Sequence, residues 1–221
     1  MTLTGWMYEG DTALLIGAGL GIGKFTAESL WAAGLRVLLL DRDGETAQRA
    51  AADLRPRAHA ATADEHRTAD VIARLAADGT RSCVAHCAGI YHSAHVVGVT
   101  TQDWSRLLSV NLVGAFNVAR ACAPHLRASP RPAIVNVASI EASRVVALVN
   151  PHATPHYADA KAGLAIRTRA LAHEFAPDGI RVNSVAPGPG EIADAICFLL
   201  SSASSYITAT AVTVDGGYTA L

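Results

Sequence analysis

The chain has 221 residues, 18 of them Lys or Arg and 19 Asp or Glu, for a formal net charge of −1. That length suits one α/β core rather than two, and the balanced charge, with no basic tract or aromatic stripe, excludes a nucleic-acid surface. The 51% hydrophobic content falls in runs too short for a membrane span and no basic-then-apolar leader is present, so a soluble cytoplasmic protein with no membrane partner is expected.

Cys83, Cys87, Cys122 and Cys197 lack metal-type pairing and the density of a secreted domain, and are read as reduced structural thiols with no metal site. Lys24 and Lys161 are the only lysines, which makes the position of each informative.

In chain order, short apolar runs alternate with amphipathic stretches. Strands are expected at 12–17, 36–41, 57–61, 81–86, 133–139, 180–186 and 211–214. Helices are expected at about 22–33, 44–54, 65–78, 102–127, 155–176 and 191–201. Repeated βαβ units of this kind predict an α/β fold: a Rossmann-like, doubly wound parallel sheet of about seven strands with helices on both faces, in a single domain over 1–221. Right-handed crossovers bring the C-terminal ends of the strands to one edge, where such sheets bind ligands.

The first strand runs into LLIGAGLGIG, residues 14–23. The G-x-G-x-x-G pattern fails in both registers, ending on Ile22 when started at Gly17 and on Lys24 when started at Gly19. The spacing Gly17-x-x-x-Gly21-Ile22-Gly23 does fit, and it places bare backbone where a pyrophosphate meets a helix N-terminus. The alternative is a plain glycine-rich turn. Asp41 ends the second strand 18 residues after Gly23, near the offset at which a carboxylate accepts from an adenosine ribose. A carboxylate there repels a 2′-phosphate and Leu20 offers no cation, which favours NAD over NADP despite the adjacent Arg42. Asp41 could equally cap the helix that starts near Gly44.

Tyr157 and Lys161 stand at i and i+4 on the helix expected at 155–176, so phenol and ammonium share a face. A nearby positive charge favours the phenolate, making Tyr157 the candidate acid/base. Ser139 ends the apolar run IVNVAS and presents a hydroxyl at the same edge, either to a substrate oxygen or simply to solvent. Asn111 lies in a helical pattern where asparagine has middling propensity, with either a buried polar task or a packing role.

Taken in order, Gly17-x-x-x-Gly21-Ile22-Gly23, Asp41, HCAG at 86–89, Asn111, Ser139, Tyr157-x-x-x-Lys161, RVNSVAPG at 181–188 and VDGGY at 214–218 resemble the short-chain dehydrogenase/reductase family over nearly the whole chain. The resemblance implies a nicotinamide-dependent oxidoreductase acting on a small alcohol or ketone, in which Tyr157 exchanges the hydroxyl proton. It further implies that Lys161 bonds the nicotinamide ribose and lowers the tyrosine pKa, that Ser139 orients the substrate oxygen and that Asn111 supports a water-linked proton relay. Ala88, Gly89, Pro187 and Gly188 are carried over as cofactor contacts. A homotetramer or homodimer is implied, with the helices near 102–127 and 155–176 as interface candidates.

The chain also departs from that pattern. Ile16 replaces the usual threonine, His86-Cys87 replaces Asn-Asn, and Ala61 stands for the aspartate that commonly meets adenine, while Asp64 reads as the cap of the next helix. Ser139 and Tyr157 are 18 positions apart, more than usual, which predicts a loop over the substrate pocket. After Pro187-Gly188-Pro189 the chain passes straight to Gly190-Glu191, without the substrate-covering segment of relatives. Either the cover is absent, or the numbering passes over an omitted stretch; the second is preferred, and Cα atoms of Pro189 and Gly190 about 3.8 Å apart would contradict it. His86, His92, His95, His152 and His156 all fall near the active edge, as loop polar groups or substrate hydrogen-bonders. The competing functions are an NADPH-dependent 3-oxoacyl thioester reductase and a non-catalytic nucleotide sensor.

Overall fold

The computed structural model describes residues 12–64, 70–72, 83–145, 152, 154–188 and 191–220. Seven strands form one parallel sheet in the order β3-β2-β1-β4-β5-β6-β7. They are β1 (Thr12–Ile16), β2 (Arg36–Asp41), β3 (Ala58–Thr62), β4 (Cys83–His86), β5 (Ala133–Val137), β6 (Arg181–Pro187) and β7 (Ala211–Val214). The helices among the described residues are α1 (Gly21–Ala32), α2 (Gly44–Ala52), α3 (Thr101–Leu126), α4 (Pro155–Glu174) and α5 (Ala193–Leu200). The helix expected at 65–78 lies mostly outside the described residues, which include it only as helical 70–72.

Period-two alternation explains why the central strands read as unbroken apolar runs. Leu15 and Leu39 point to one face, under α1, α2 and α5, while Leu14, Ile16, Leu38 and Leu40 point to the other, under α3 and α4. All six side chains are buried, and each such leucine contributes about 2 kcal/mol relative to exposure. Helix α3 is long and apolar enough to cross a membrane by length and composition, but Val118, Cys122 and Leu126 pack its inner side into the core.

Local signals set where the helices begin. Thr100 and Asp103 form a reciprocal capping box at the start of α3, and Pro155 occupies the first turn of α4, where its missing N–H costs nothing. Asp43, not Asp41, caps α2, accepting from the N–H groups of Glu45 and Thr46. Strand β5 ends at Val137, two residues earlier than its apolar run, because Ser139 turns the chain into a short 3₁₀ helix.

The strand order reverses between β1 and β4, so the loops leaving these two strands diverge to opposite faces and open a crevice at the C-terminal edge.

Candidate active site

The loop after β1 crosses against the loop after β4. A Cβ on Gly17 would lie 2.6 Å from the Ala88 backbone, and Gly17 has φ +74°, so glycine is required there on both counts. Gly23 faces the Gly17 carbonyl just as closely, seating the first turn of α1 against the loop. Leu20 precedes α1 without a side-chain cap, and the first turn carries no acid. Its orphan N–H groups and the helix dipole therefore make a positive, anion-accepting end.

Beside it lies a cleft of about 380 Å³ lined by Gly17, Leu20, Asp41, Asp64, Ala88 and Gly89, among others. This volume is in the range of small-ligand pockets. Asp41 Oδ2 accepts from Gly19 N–H at 2.9 Å, tying the carboxylate to the glycine loop. Asp64 also faces this cleft, a contribution hidden in the sequence by the assignment of the adenine-side position to Ala61; the start of the helix it was expected to cap lies outside the described residues. Gly21, Ile22, Gly23, Pro187, Gly188 and the candidate catalytic side chains do not line the cleft. Gly188 instead packs against Asp215, where a Cβ would approach within 2.7 Å, and its N–H donates to the Val214 carbonyl.

Ser139, Tyr157, Lys161 and Asn111 converge from β5, α4 and α3. Ser139 is buried and hydrogen-bonds Tyr157. Lys161 is 3% exposed and donates to the Val137 carbonyl at 2.7 Å, with Nζ 5.7 Å from the Tyr157 ring centroid. Asn111 is fully buried in a π-helical turn, Ser109–Gly114, within α3. Its amide pairs twice with the Ile90 peptide, both bonds 2.8 Å. The π register is a local widening that re-aims one side chain, a device common at functional sites. A Cβ on Gly89 would lie 3.1 Å from Asn111 Oδ1 and 3.3 Å from Lys161 Nζ, so the bare glycine lets these two groups approach the crevice together.

Burial dominates the electrostatics of these side chains. Burial pushes Tyr157 up to about 12; the Ser139 hydrogen bond pulls it down, while Glu141 and Tyr91 raise it further. Burial lowers the Lys161 pKa to about 8, below that of the phenol, so in the unliganded protein the amine has lost its charge before Tyr157 ionises. His86, 2% exposed at the end of β4, is driven down to about 3 by burial and then by the Lys161 charge.

His92, His95, His152 and His156 form ring contacts between two segments. Tyr91 meets Tyr157 edge-on at 4.8 Å, His92 meets His156 at 5.6 Å, and His95 lies 3.7 Å from His152. These contacts close one wall beside Tyr157, and sequence spacing alone gave no sign of the pairing. No group of three His, Cys, Asp or Glu side chains among the described residues is placed to share a metal ion. Of the loop expected over the pocket at 141–155, residues 146–151 and 153 lie outside the described residues, as does the Pro189–Gly190 junction.

An uncapped helix end, a loop that admits no side chain and an adjoining cleft with a carboxylate together fit the pyrophosphate and adenosine of a nucleotide. Comparison with known proteins agrees with this architecture. The short chain dehydrogenase family matches residues 11–194, and the enoyl-(acyl carrier protein) reductase family matches 189–219. Galactitol 2-dehydrogenase (L-tagatose-forming) of Cereibacter sphaeroides is 31% identical over an aligned span of 247 residues, covering 96% of each chain. The (3R)-3-hydroxyacyl-CoA dehydrogenase of Rattus norvegicus is 31% identical, covering 93% of this chain and 95% of its own. A short chain dehydrogenase from Mycobacterium smegmatis superimposes with a TM-score of 0.85 at 29% identity, covering 94% of this chain and 92% of its own. Fold, matched length and these relatives together establish that the chain belongs to the short-chain dehydrogenase/reductase family of oxidoreductases.

Proposed function

We propose that the chain is an NAD(H)-dependent oxidoreductase that interconverts a small secondary alcohol and its ketone. The observation that carries this reading is the convergence of Ser139, Tyr157 and Lys161 at the strand edge, with Ser139 hydrogen-bonded to the phenol. Binding alone has no use for a buried phenol and hydroxyl aimed at one point. A bound nicotinamide nucleotide supplies the two-electron oxidant or reductant.

The chain's own residues handle the proton and the geometry. Ser139 Oγ accepts from Glu141 N–H at 3.1 Å, and its one hydrogen, which faces the Tyr157 phenol, passes to the substrate oxygen when substrate binds beside them. Tyr157 takes the hydroxyl proton in oxidation and returns it in reduction. Lys161 holds its ammonium within reach of a nucleotide ribose, and Asn111 Oδ1 faces the same space across Gly89 as the acceptor end of a relay. Gly17, Gly21, Ile22 and Gly23 hold the pyrophosphate, Asp41 the adenosine ribose, and Ala88, Gly89, Pro187 and Gly188 the remainder of the nucleotide. The Asp41 carboxylate selects against a 2′-phosphate.

The galactitol relative supports a polyhydroxylated substrate. A second reading, reduction of a 3-oxoacyl thioester, is favoured by the hydroxyacyl-CoA relative and by the match of 189–219 to the enoyl reductases. For this single domain an omitted substrate-covering stretch at Pro189–Gly190 stays the preferred reading and an absent cover the alternative; the 247-residue aligned span, longer than the 221 residues of the chain, supports a segment that the relative carries and this sequence lacks. Cytoplasmic residence and a homodimer or homotetramer complete the reading; Val113, Phe116 and Ile166 on the outer sides of α3 and α4 leave apolar surface for a second copy.

The test is a fluorescence titration with NADH and NADPH, followed by a panel of polyols, cyclic secondary alcohols and 3-oxoacyl thioesters. Tighter binding of NADH together with turnover of an alcohol or polyol supports the proposal. Preference for NADPH with thioester turnover replaces it, and cofactor binding without turnover on any compound makes the chain a nucleotide sensor.

A further inference from the structure

Glu141 lies outside the cleft and matches none of the motifs above, yet it touches both ends of the proton-transfer machinery. Its N–H donates to Ser139 Oγ at 3.1 Å, and its Oε2 accepts from Thr154 Oγ1 at 2.7 Å. Thr154 is fully buried and sits at φ +37°, an unfavourable conformation for a β-branched residue. Its carbonyl accepts from the N–H groups of Tyr157 and Ala158, the opening bonds of α4. A single acidic residue thus connects the turn carrying Ser139 to the first turn of the helix carrying Tyr157, across a loop whose two ends are otherwise 15 positions apart in sequence.

We propose that Glu141 is a positioning residue, clasping Thr154 so that the Ser139 hydroxyl and the Tyr157 phenol address one substrate oxygen. This rests on the reading of Tyr157 as the proton-transfer group. Two alternatives are weaker. A solvent-facing acid has no reason to accept from a buried threonine, and a simple cap for the short 3₁₀ turn needs only its backbone N–H. Thr154 offers no side-chain cap to α4, so its hydroxyl serves Glu141 instead of the helix.

The clasp has an electrostatic signature. Tyr157 is faced by Ser139 from the end of β5, Glu141 from the 3₁₀ turn and Tyr91 from the loop after β4, with Lys161 one turn along its own helix. After burial and the Ser139 bond, the Glu141 charge is the next influence, and it favours the protonated phenol. Removing that charge lets Tyr157 ionise at lower pH, which a purely structural link would not do.

The test compares Glu141→Gln, which keeps an acceptor oxygen for Thr154 but loses the charge, with Glu141→Ala, which loses both. In full-length protein labelled with ¹³Cζ-tyrosine, with the Tyr157 resonance identified through Tyr157→Phe, the ionised fraction at about pH 11 is expected to rise about threefold in Glu141→Gln. On the substrate found by the panel, kcat is expected to fall about tenfold or more in Glu141→Ala and to stay within about threefold in Glu141→Gln, with the NADH Kd unchanged in both. An unchanged Tyr157 titration in Glu141→Gln, or an unchanged kcat in Glu141→Ala, overturns the proposal. If the native protein turns over nothing, the proposed function fails, but the tyrosine titration still decides whether Glu141 acts on Tyr157.

Discussion

His86 makes the fold acid-sensitive by an amount the structure allows to be worked out. It is 2% exposed, with Nδ1 buried and unpartnered, and burial followed by the Lys161 charge takes its pKa from 6.5 to about 3. The native protein therefore refuses a proton that the unfolded chain accepts below pH 6.5. The unfolded state binds more protons throughout that window, so stability falls as pH falls, at about 1.4 kcal/mol per unit. Between about pH 7 and pH 4.5 the loss from this one group is about 2.5 kcal/mol, a substantial part of the 5–15 kcal/mol typical of a domain. His86→Asn removes the titration. Urea unfolding of both proteins at a series of pH values between 7 and 4.5, with m-values checked for constancy, should give stability curves that converge or cross as pH falls. Their difference should change by about 2.5 kcal/mol in favour of the variant, whatever its value at neutral pH. Parallel curves, or an imidazole resonance of His86 titrating near its ordinary value, would refute the reasoning.

Three further outcomes follow from the same geometry. Tyr157→Phe should bind NADH as the native protein does and lose about a thousandfold or more in kcat, as measured by steady-state turnover beside the fluorescence titration. Lys161 is 3% exposed with its pKa lowered from 10.5 to about 8, so holding its proton at neutral pH costs stability that is relieved as pH rises from about 8 toward 10.5. Lys161→Met should accordingly abolish turnover yet gain about 2 kcal/mol in urea unfolding at pH 7, once the lost bond to Val137 is counted; a destabilised variant would contradict this. Asp41→Ala removes both the 2′-phosphate repulsion and the acceptor of Gly19 N–H, so the ratio of NADPH to NADH affinity should rise about tenfold or more while the NADH affinity itself falls.

The sheet was legible because its physics is local. Runs such as TALLI and RVLLLD are buried on both faces, and the turns between runs and helices carry Gly, Asp or Pro where the backbone needs them. The nucleotide side was legible for a related reason: Gly17 is forced by a crossing of two loops that leaves no room for a Cβ, and such steric demands show in sequence. What escaped the sequence depends on partners distant in the chain. Which aspartate capped α2 turned on a two-residue difference between Asp41 and Asp43 that spacing could not resolve. The ring contacts joining 91–95 to 152–157, and the hydrogen bond from Thr154 to Glu141, exist only once β5 and α4 lie side by side. The π turn that carries Asn111 has no compositional mark beyond an asparagine in a helix.

The pKa of Tyr157 in the unliganded protein bears on how the site works. At sequence level a lysine one turn away suggests a phenol already tilted toward ionisation. In the folded protein, burial acts on Tyr157, Lys161 and His86 alike, and in each case it disfavours the charged form. Lys161, its pKa lowered to about 8, is neutral before the phenol ionises, and the Glu141 carboxylate opposes a phenolate. The resting site is therefore poised to give a proton rather than to take one, and any step that needs the phenolate must bring its own positive charge into the crevice. That requirement couples proton transfer to occupancy of the nucleotide site: the alkaline limb of alcohol oxidation should track the ternary complex, and the unliganded protein should show Tyr157 still protonated well above pH 10, its ordinary value. A Tyr157 that ionises below that value without any ligand would place the activating charge in the protein after all, and would return Lys161 to the role its spacing first suggested.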